Sequence, residues 1–365
     1  MVNNGGETMI PLFKPYMPEL PALDKILHTG ALAYGEHTKE FEKKLKQYFK
    51  TEFLIVTSSY SNAISVVLTT LGIVNGDEVI SSPMACLAST QPYLSNGLYV
   101  KWADVDPLRG TLLPESVEKQ ITKHTKAIVH NHYCGYPGYI DEINAIGQKY
   151  GIPIIDDGIE AFGSEYKGKK VGCCNTDITI FSLTAVRIPN CIDGGVIVFK
   201  DKEQYEKSLL IRDCGVDRTA FRDEMGEISD KCDIDRIGYS AMMSNVNGYI
   251  GSRQMDMIEN LLMAQREQAI KWADFFENKK EFHPLLKEEI LPNYWIYGVL
   301  ANNKIEAIKQ FRDMGYYASG VHMRNDLYSI FGKQNIELNG VREFYERFVA
   351  VPCGWWMKNE DSMGN

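Results

Sequence analysis

An apolar run, Ile152-Pro153-Ile154-Ile155, ends in adjacent carboxylates, Asp156 and Asp157, with Glu160 following in Gly158-Ile159-Glu160-Ala161-Phe162-Gly163. A carboxylate at the buried end of a strand is costly unless it is paired, which favours a functional acid at Asp157. Glu160 has two readings, a site residue or a capping residue on the surface. A second stretch, Thr57-Ser58-Ser59-Tyr60-Ser61-Asn62-Ala63, runs from a strand end into a helix. Amides at a helix N-terminus favour an anion; taken alone, the same stretch is an ordinary Ser N-cap. Arg187, in Thr184-Ala185-Val186-Arg187, is a fixed cation, since guanidinium stays protonated in proteins and can bind phosphate or carboxylate bidentately. His130 and His132 flank Asn131 at an i, i+2 spacing that suits a metal, yet such histidines are more often structural. His322, in Gly320-Val321-His322-Met323-Arg324, is a further candidate. The eight cysteines form no CxxC pair and no Cys/His zinc spacing, so free thiols and no metal site are expected.

These residues need elements to position them. From about residue 38 to 200, strand-like runs alternate with helical patterns: strands at 53–57, 77–81, 98–105, 126–130, 152–155, 178–183 and 195–199, helices at 61–71, 115–121 and 140–150. That order predicts an α/β protein with a mostly parallel sheet and helices on both faces. Ligands in such sheets sit at the carboxyl ends of strands, which is where Tyr60, Asp157 and Ser182 fall. Residues 201–240 read as charged and loop-rich. Residues 246–278 read as a long linking helix, with a smaller α/β domain over 279–365 and a large domain over 10–245. Trp355-Trp356 reads as packing, and Lys167, Lys169 and Lys170 as a solvated turn.

The chain has 365 residues, 44% hydrophobic and 24% charged, with a net charge of −9. This ordinary globular composition excludes a general nucleic-acid or membrane-surface binder. No apolar stretch reaches the roughly 20 residues that span a bilayer. The stretch 1–9 lacks the basic and apolar regions of a signal peptide and reads as a short tail or cloning remnant, so a cytoplasmic location is expected.

Taken in order, these segments resemble the DegT/DnrJ/EryC1/StrS family of pyridoxal-phosphate (PLP) aminotransferases acting on nucleotide-linked keto-sugars. The likeness runs from Ile10 to about Val351 and includes Pro11-Leu12-Phe13-Lys14-Pro15, Gly76-Asp77-Glu78-Val79-Ile80 and Ala103-Asp104-Val105-Asp106-Pro107. It implies fold type I, a large domain plus a small C-terminal one, a homodimer with sites at the subunit interface, and a role in polysaccharide or glycoside biosynthesis. By the same resemblance, the turn at Tyr60 and Ser61 would hold the cofactor phosphate, where the family has Gly and Thr. Leu87 stands where an aromatic covers the pyridine ring. Asp157 matches the partner of the pyridinium nitrogen, which keeps the ring an electron sink. Glu160 stands where Gln or His lies near the ring hydroxyl, and an anion there would repel that oxygen unless protonated. Ser182 matches a phosphate-contacting hydroxyl. Met242, in Ser240-Ala241-Met242-Met243-Ser244-Asn245, replaces a basic residue that reaches the partner's phosphate. The family also continues into a final helix, whereas this sequence ends soon after Trp356.

Arg187 falls on the Schiff-base lysine, its register fixed by Asp193-Gly194-Gly195 where the family has Glu-Gly-Gly. Lysine works by losing its proton, attacking the aldehyde and shuttling protons; arginine does not form the aldimine. Three readings follow. One is an aminotransferase in which the lysine alone has been replaced. The second holds PLP or its amine form PMP non-covalently, as sugar 3-dehydratases of the family do. The third uses no cofactor and either modifies a nucleotide sugar by other chemistry or is a non-catalytic homologue with a repurposed pocket. The expectation is a family member in which ordinary transamination is lost or blocked at Arg187.

Overall fold

The computed structural model describes residues 9–357; all of the N-terminal stretch 1–9 but Met9 lies outside them. Seven strands form the central sheet in the order Leu54–Thr57, Gly195–Phe199, Ile178–Ser182, Ile154–Asp157, Thr125–Asn131, Glu78–Ser81, Tyr99–Trp102. Gly195–Phe199 runs antiparallel to both neighbours, and the remaining pairs are parallel. Leu54–Thr57, Ile178–Ser182 and Gly195–Phe199 are buried at every position. They therefore read as continuous apolar runs rather than alternating ones, as strands covered on both faces do.

Two departures from the sequence pattern have local causes. The 246–278 pattern is two helices, Asn245–Met255 and Ile258–Phe276. The first starts on a Ser244 N-cap whose side chain accepts from the Asn247 N–H, 3.1 Å. It lies tightly against the helix Glu36–Phe49: a Cβ at Gly248 would meet the Thr38 backbone at 2.4 Å, and one at Gly251 the Phe41 ring at 2.5 Å. The second turns away and buries Leu261, Leu262, Gln265, Gln268, Trp272 and Phe276, an i, i+3, i+4, i+7 face. Residues 201–240 are not loop throughout. Asp201 caps a helix, Lys202–Arg212, by accepting from the Gln204 N–H at 2.9 Å, a local signal outweighed in the reading by the charge of the stretch.

Toward the C-terminus, Phe282–Pro284, Tyr297–Ala301 and Phe348–Val351 form a small antiparallel sheet. Ile290–Leu291 pairs instead with Glu165–Tyr166. This pairing brings residues 290–295 back against the segment that follows Asp157. Among the described residues, no helix is long and apolar enough to cross a membrane.

Candidate functional site

The strand Ile154–Asp157 lies beside Thr125–Asn131 with His130 opposite Asp156 and Asn131 opposite Asp157. Successive strand residues face opposite sides, so the two neighbouring aspartates serve two different environments. On one face, Asp157 is 1% exposed and its carboxylate is fully engaged. Asn131 Nδ2 donates to Oδ2 at 2.8 Å, the Ile159 N–H donates to Oδ1 at 3.1 Å, and the Tyr60 hydroxyl donates to the same Oδ1. On the other face, Asp156 Oδ1 stands 3.3 Å from His130 Nδ1 and 3.5 Å from His132 Nε2, all three side chains being wholly buried. Asp156 Oδ2 accepts from Thr176 Oγ1 at 2.6 Å, and His132 Nδ1 accepts from the Gly138 N–H at 3.3 Å. These three groups offer possible metal-donor atoms within 4.8 Å of one another, closer company than their sequence spacing alone implies. Burial opposes ionisation of Asp156, but His132 and His130 outweigh it and hold the carboxyl below its ordinary range.

Glu160 is the hub of the first face. It is buried, which settles the two sequence readings against a surface residue. One oxygen, Oε1, lies 2.8 Å from His322 Nε2 and 3.3 Å from Arg187 Nη1; the other, Oε2, accepts from the Cys134 N–H at 2.7 Å. Burial alone would raise its carboxyl, yet His322, Arg187 and the hydrogen bonds prevail and bring it down to about 2. The residue is an anion at neutral pH. Cys134 and Val321, next in chain to or part of these contacts, both hold positive φ, 54° and 60°. For a non-glycine residue, and above all a β-branched one, such backbone costs of order 1–3 kcal/mol and persists where the surroundings fix it. The strain thus sits on the backbone that aims the partners of Glu160.

Arg187 is 6% exposed. Its guanidinium lies over the Trp295 ring, 4.4 Å from Cζ to the centroid, and that ring stacks on Phe13 at 5.5 Å. Trp295 Nε1 donates to the Val186 carbonyl at 2.8 Å, so one indole both covers the cation and pins the residue before it. Among the described residues, Arg187 Nε and Nη1 have no hydrogen-bond partner; the contact with Glu160 is ionic. Asn293 holds this wall in place, donating to the Glu160 and Phe162 carbonyls at 2.7 and 3.0 Å. Cys86 and Cys134 lie in the same field. Burial and then Glu160 push both thiols up, so neither is a thiolate nucleophile.

The structure therefore brings together Tyr60, Asp157, Glu160, Arg187 and His322 in two linked clusters. Ser59, not Ser61, caps the helix Tyr60–Thr70, accepting from the Asn62 N–H at 3.1 Å; Ser61 is exposed in the first turn. Ser182 is buried at its strand end and within 3.1 Å of Thr184 Oγ1. Leu87 is 37% exposed at the start of the helix Leu87–Ser95, so its side chain lies at the rim. Asn131, Asn293 and Trp295 were not singled out in the sequence. Asn131 follows once strand register is known, whereas Tyr294-Trp295-Ile296-Tyr297 reads only as an apolar aromatic run.

Comparison with known proteins fits this architecture. The uncharacterized protein MJ1066 of Methanocaldococcus jannaschii is 27% identical over 97% of this chain and 95% of its own. The sugar aminotransferase CalS13 from Micromonospora echinospora superposes with a TM-score of 0.89 at 24% identity, covering 97% of each chain. A GDP-4-keto-6-deoxymannose-3-dehydratase with a trapped PLP-glutamate geminal diamine superposes with a TM-score of 0.83 at 20% identity, over 94% of this chain and 96% of that one. The fold is that of the fold-type-I PLP enzymes, a mixed α/β chain around a large, mostly parallel sheet. With the family model matching residues 17–363, the chain belongs to the DegT/DnrJ/EryC1/StrS aminotransferase family.

Proposed function

We propose that this protein is a family member that binds a nucleotide-linked keto-sugar in polysaccharide or glycoside biosynthesis and does not transaminate. The observation that carries the reading is Arg187. By the resemblance it stands at the Schiff-base lysine's position; in this structure it is buried on Trp295 and paired to an ionised Glu160. A lysine at this position would supply a neutral amine; this arginine supplies a permanent cation. Its unpartnered N–H groups are donors for an oxyanion, either a phosphate or the keto oxygen of the sugar. PLP, if bound as the family binds it, supplies an electron sink. The residues here do not fit it in that role: residue 187 offers no amine, and Glu160, which by the resemblance stands beside the ring hydroxyl, is an anion. No chemical step is therefore assigned to the cofactor. The same reading takes a homodimer as the assembly and divides the chain into 10–245, 246–278 and 279–365.

The test is calorimetric titration with UDP-, dTDP-, GDP- and CDP-linked sugars, run beside an assay for amino transfer from glutamate with PLP added. One nucleotide sugar is expected to bind, and Arg187→Ala to weaken it about 10–100-fold, the worth of charge-assisted hydrogen bonds. Amino transfer by the unaltered protein would end the proposal.

A second reading, cofactor-independent modification of the sugar, is favoured by the 2.8 Å contact of His322 Nε2 with Glu160. An ionised carboxylate only accepts, so Nε2 donates to it and Nδ1 is the ring nitrogen left to face a substrate. That is the arrangement of a general base held by an acid. It would move a proton at the carbon beside the keto group while Arg187 stabilises the enolate oxygen. Deuterium from solvent should then enter the bound sugar, and His322→Gln should stop it. Absence of exchange with a sugar shown to bind leaves the non-catalytic reading.

A further inference from the structure

We infer that Tyr60 takes the place of the cofactor: its phenol lies along the seat that a PLP pyridine would occupy, and the chain is closed to PLP by its own side chain. Tyr60 opens the helix Tyr60–Thr70 directly after the Ser59 cap, in the turn that a phosphate would need. From there its hydroxyl reaches Asp157 and donates to Oδ1. One side chain thus joins the two points that a phosphate and a ring nitrogen would otherwise mark. Tyr60 is 3% exposed and Asp157 1%.

Asp157 has no capacity left that calls for a second partner. Asn131 Nδ2, the Ile159 N–H and the phenol already satisfy its two oxygens. A buried carboxylate needs a donor opposite it. A protonated pyridine nitrogen would be one such donor, and the Tyr60 hydroxyl is another. Burial and then Asp157 push the phenol well above its ordinary value, so it keeps its proton and remains the donor. A second buried tyrosine, Tyr93, lies in the same field of Asp157. A ligand ring entering here would have to displace a packed phenol and leave Asp157 to re-pair. The Arg187 substitution and the Tyr60 substitution are therefore two independent closures, one chemical and one steric.

The inference stands apart from nucleotide-sugar binding, which rests on Arg187 and is read by a different experiment. The probe is PLP itself, followed by desalting, borohydride reduction and peptide mass analysis. The unaltered protein is expected to retain no PLP. Arg187→Lys, which restores the amine and keeps the positive charge, is expected to gain no adduct, because the seat remains filled. Arg187→Lys combined with Tyr60→Gly is expected to fix PLP at residue 187, whereas Arg187→Lys combined with Tyr60→Phe is not, since the ring stays. A reduced adduct in the single Arg187→Lys variant, or PLP retained by the unaltered protein, overturns the inference without recourse to any variant at Tyr60. So does a folded Tyr60→Gly/Arg187→Lys protein that takes up no PLP, because something other than the phenol would then be excluding it.

Discussion

Glu160→Gln is expected to destabilise the protein by about 3–5 kcal/mol at neutral pH, because it leaves the buried Arg187 cation without its carboxylate; Arg187→Met is expected to cost less, since Glu160 keeps His322 and the Cys134 N–H. The expectation rests on burial. Arg187 and Glu160 are both more than nine-tenths buried, and the contact between them is an ion pair at 3.3 Å. Exposed ion pairs contribute little and would not give such an effect. The two losses should not add. Once Glu160 is neutral, Arg187 has no charge to answer, and removing it also relieves the cost of its burial. The double variant should therefore be more stable than the sum of the singles by well over the 0.5 kcal/mol that marks independent sites. Urea unfolding followed by tryptophan fluorescence measures all four proteins. Additive losses would show that Arg187 is held by Trp295 alone and that Glu160 belongs to His322.

The polar ends of the strands were legible in the sequence because they are local. Asp157 follows an apolar run, and a buried strand end makes any carboxylate there conspicuous. Arg187 was legible because Asp193-Gly194-Gly195 fixes its register from the far side. What Tyr60 does was not legible. In sequence it reads as a bulky residue in a turn, and only the path of its side chain shows that it reaches Asp157. Glu160 was ambiguous for the same reason: its partners, Cys134, Arg187 and His322, come from three separate stretches, and its charge state depends on all of them. Trp295 gave no signal, since an aromatic in a buried run is most simply core. The helix break at 256–257 was hidden because both halves keep an apolar face, and only their packing partners differ.

The site's charge pattern also makes acid stability a direct readout. Glu160 has a folded-state value of about 2 against an ordinary 4.5. A carboxyl lowered in this way contributes stability that is fully present above the unfolded value and is lost as pH falls through the folded one. The separation corresponds to about 3 kcal/mol, lost between 4.5 and about 2. Asp156, lowered by His132 and His130 against its burial, loses stability in the same direction. His130 adds an earlier step. Burial lowers its value from 6.5, so the folded protein prefers the neutral ring, and stability is lost as pH falls below 6.5 toward the folded value. Acid unfolding should thus show a first decline below 6.5 and a steeper one below 4.5. Glu160→Gln separates the contributions. Its deficit relative to the unaltered protein should be full above pH 4.5 and shrink by about 3 kcal/mol as the pH approaches about 2, while the earlier decline from His130 is unchanged. A deficit that stays constant over that window would mean that the folded carboxyl is not held below its ordinary value, so that His322 and Arg187 do not outweigh its burial.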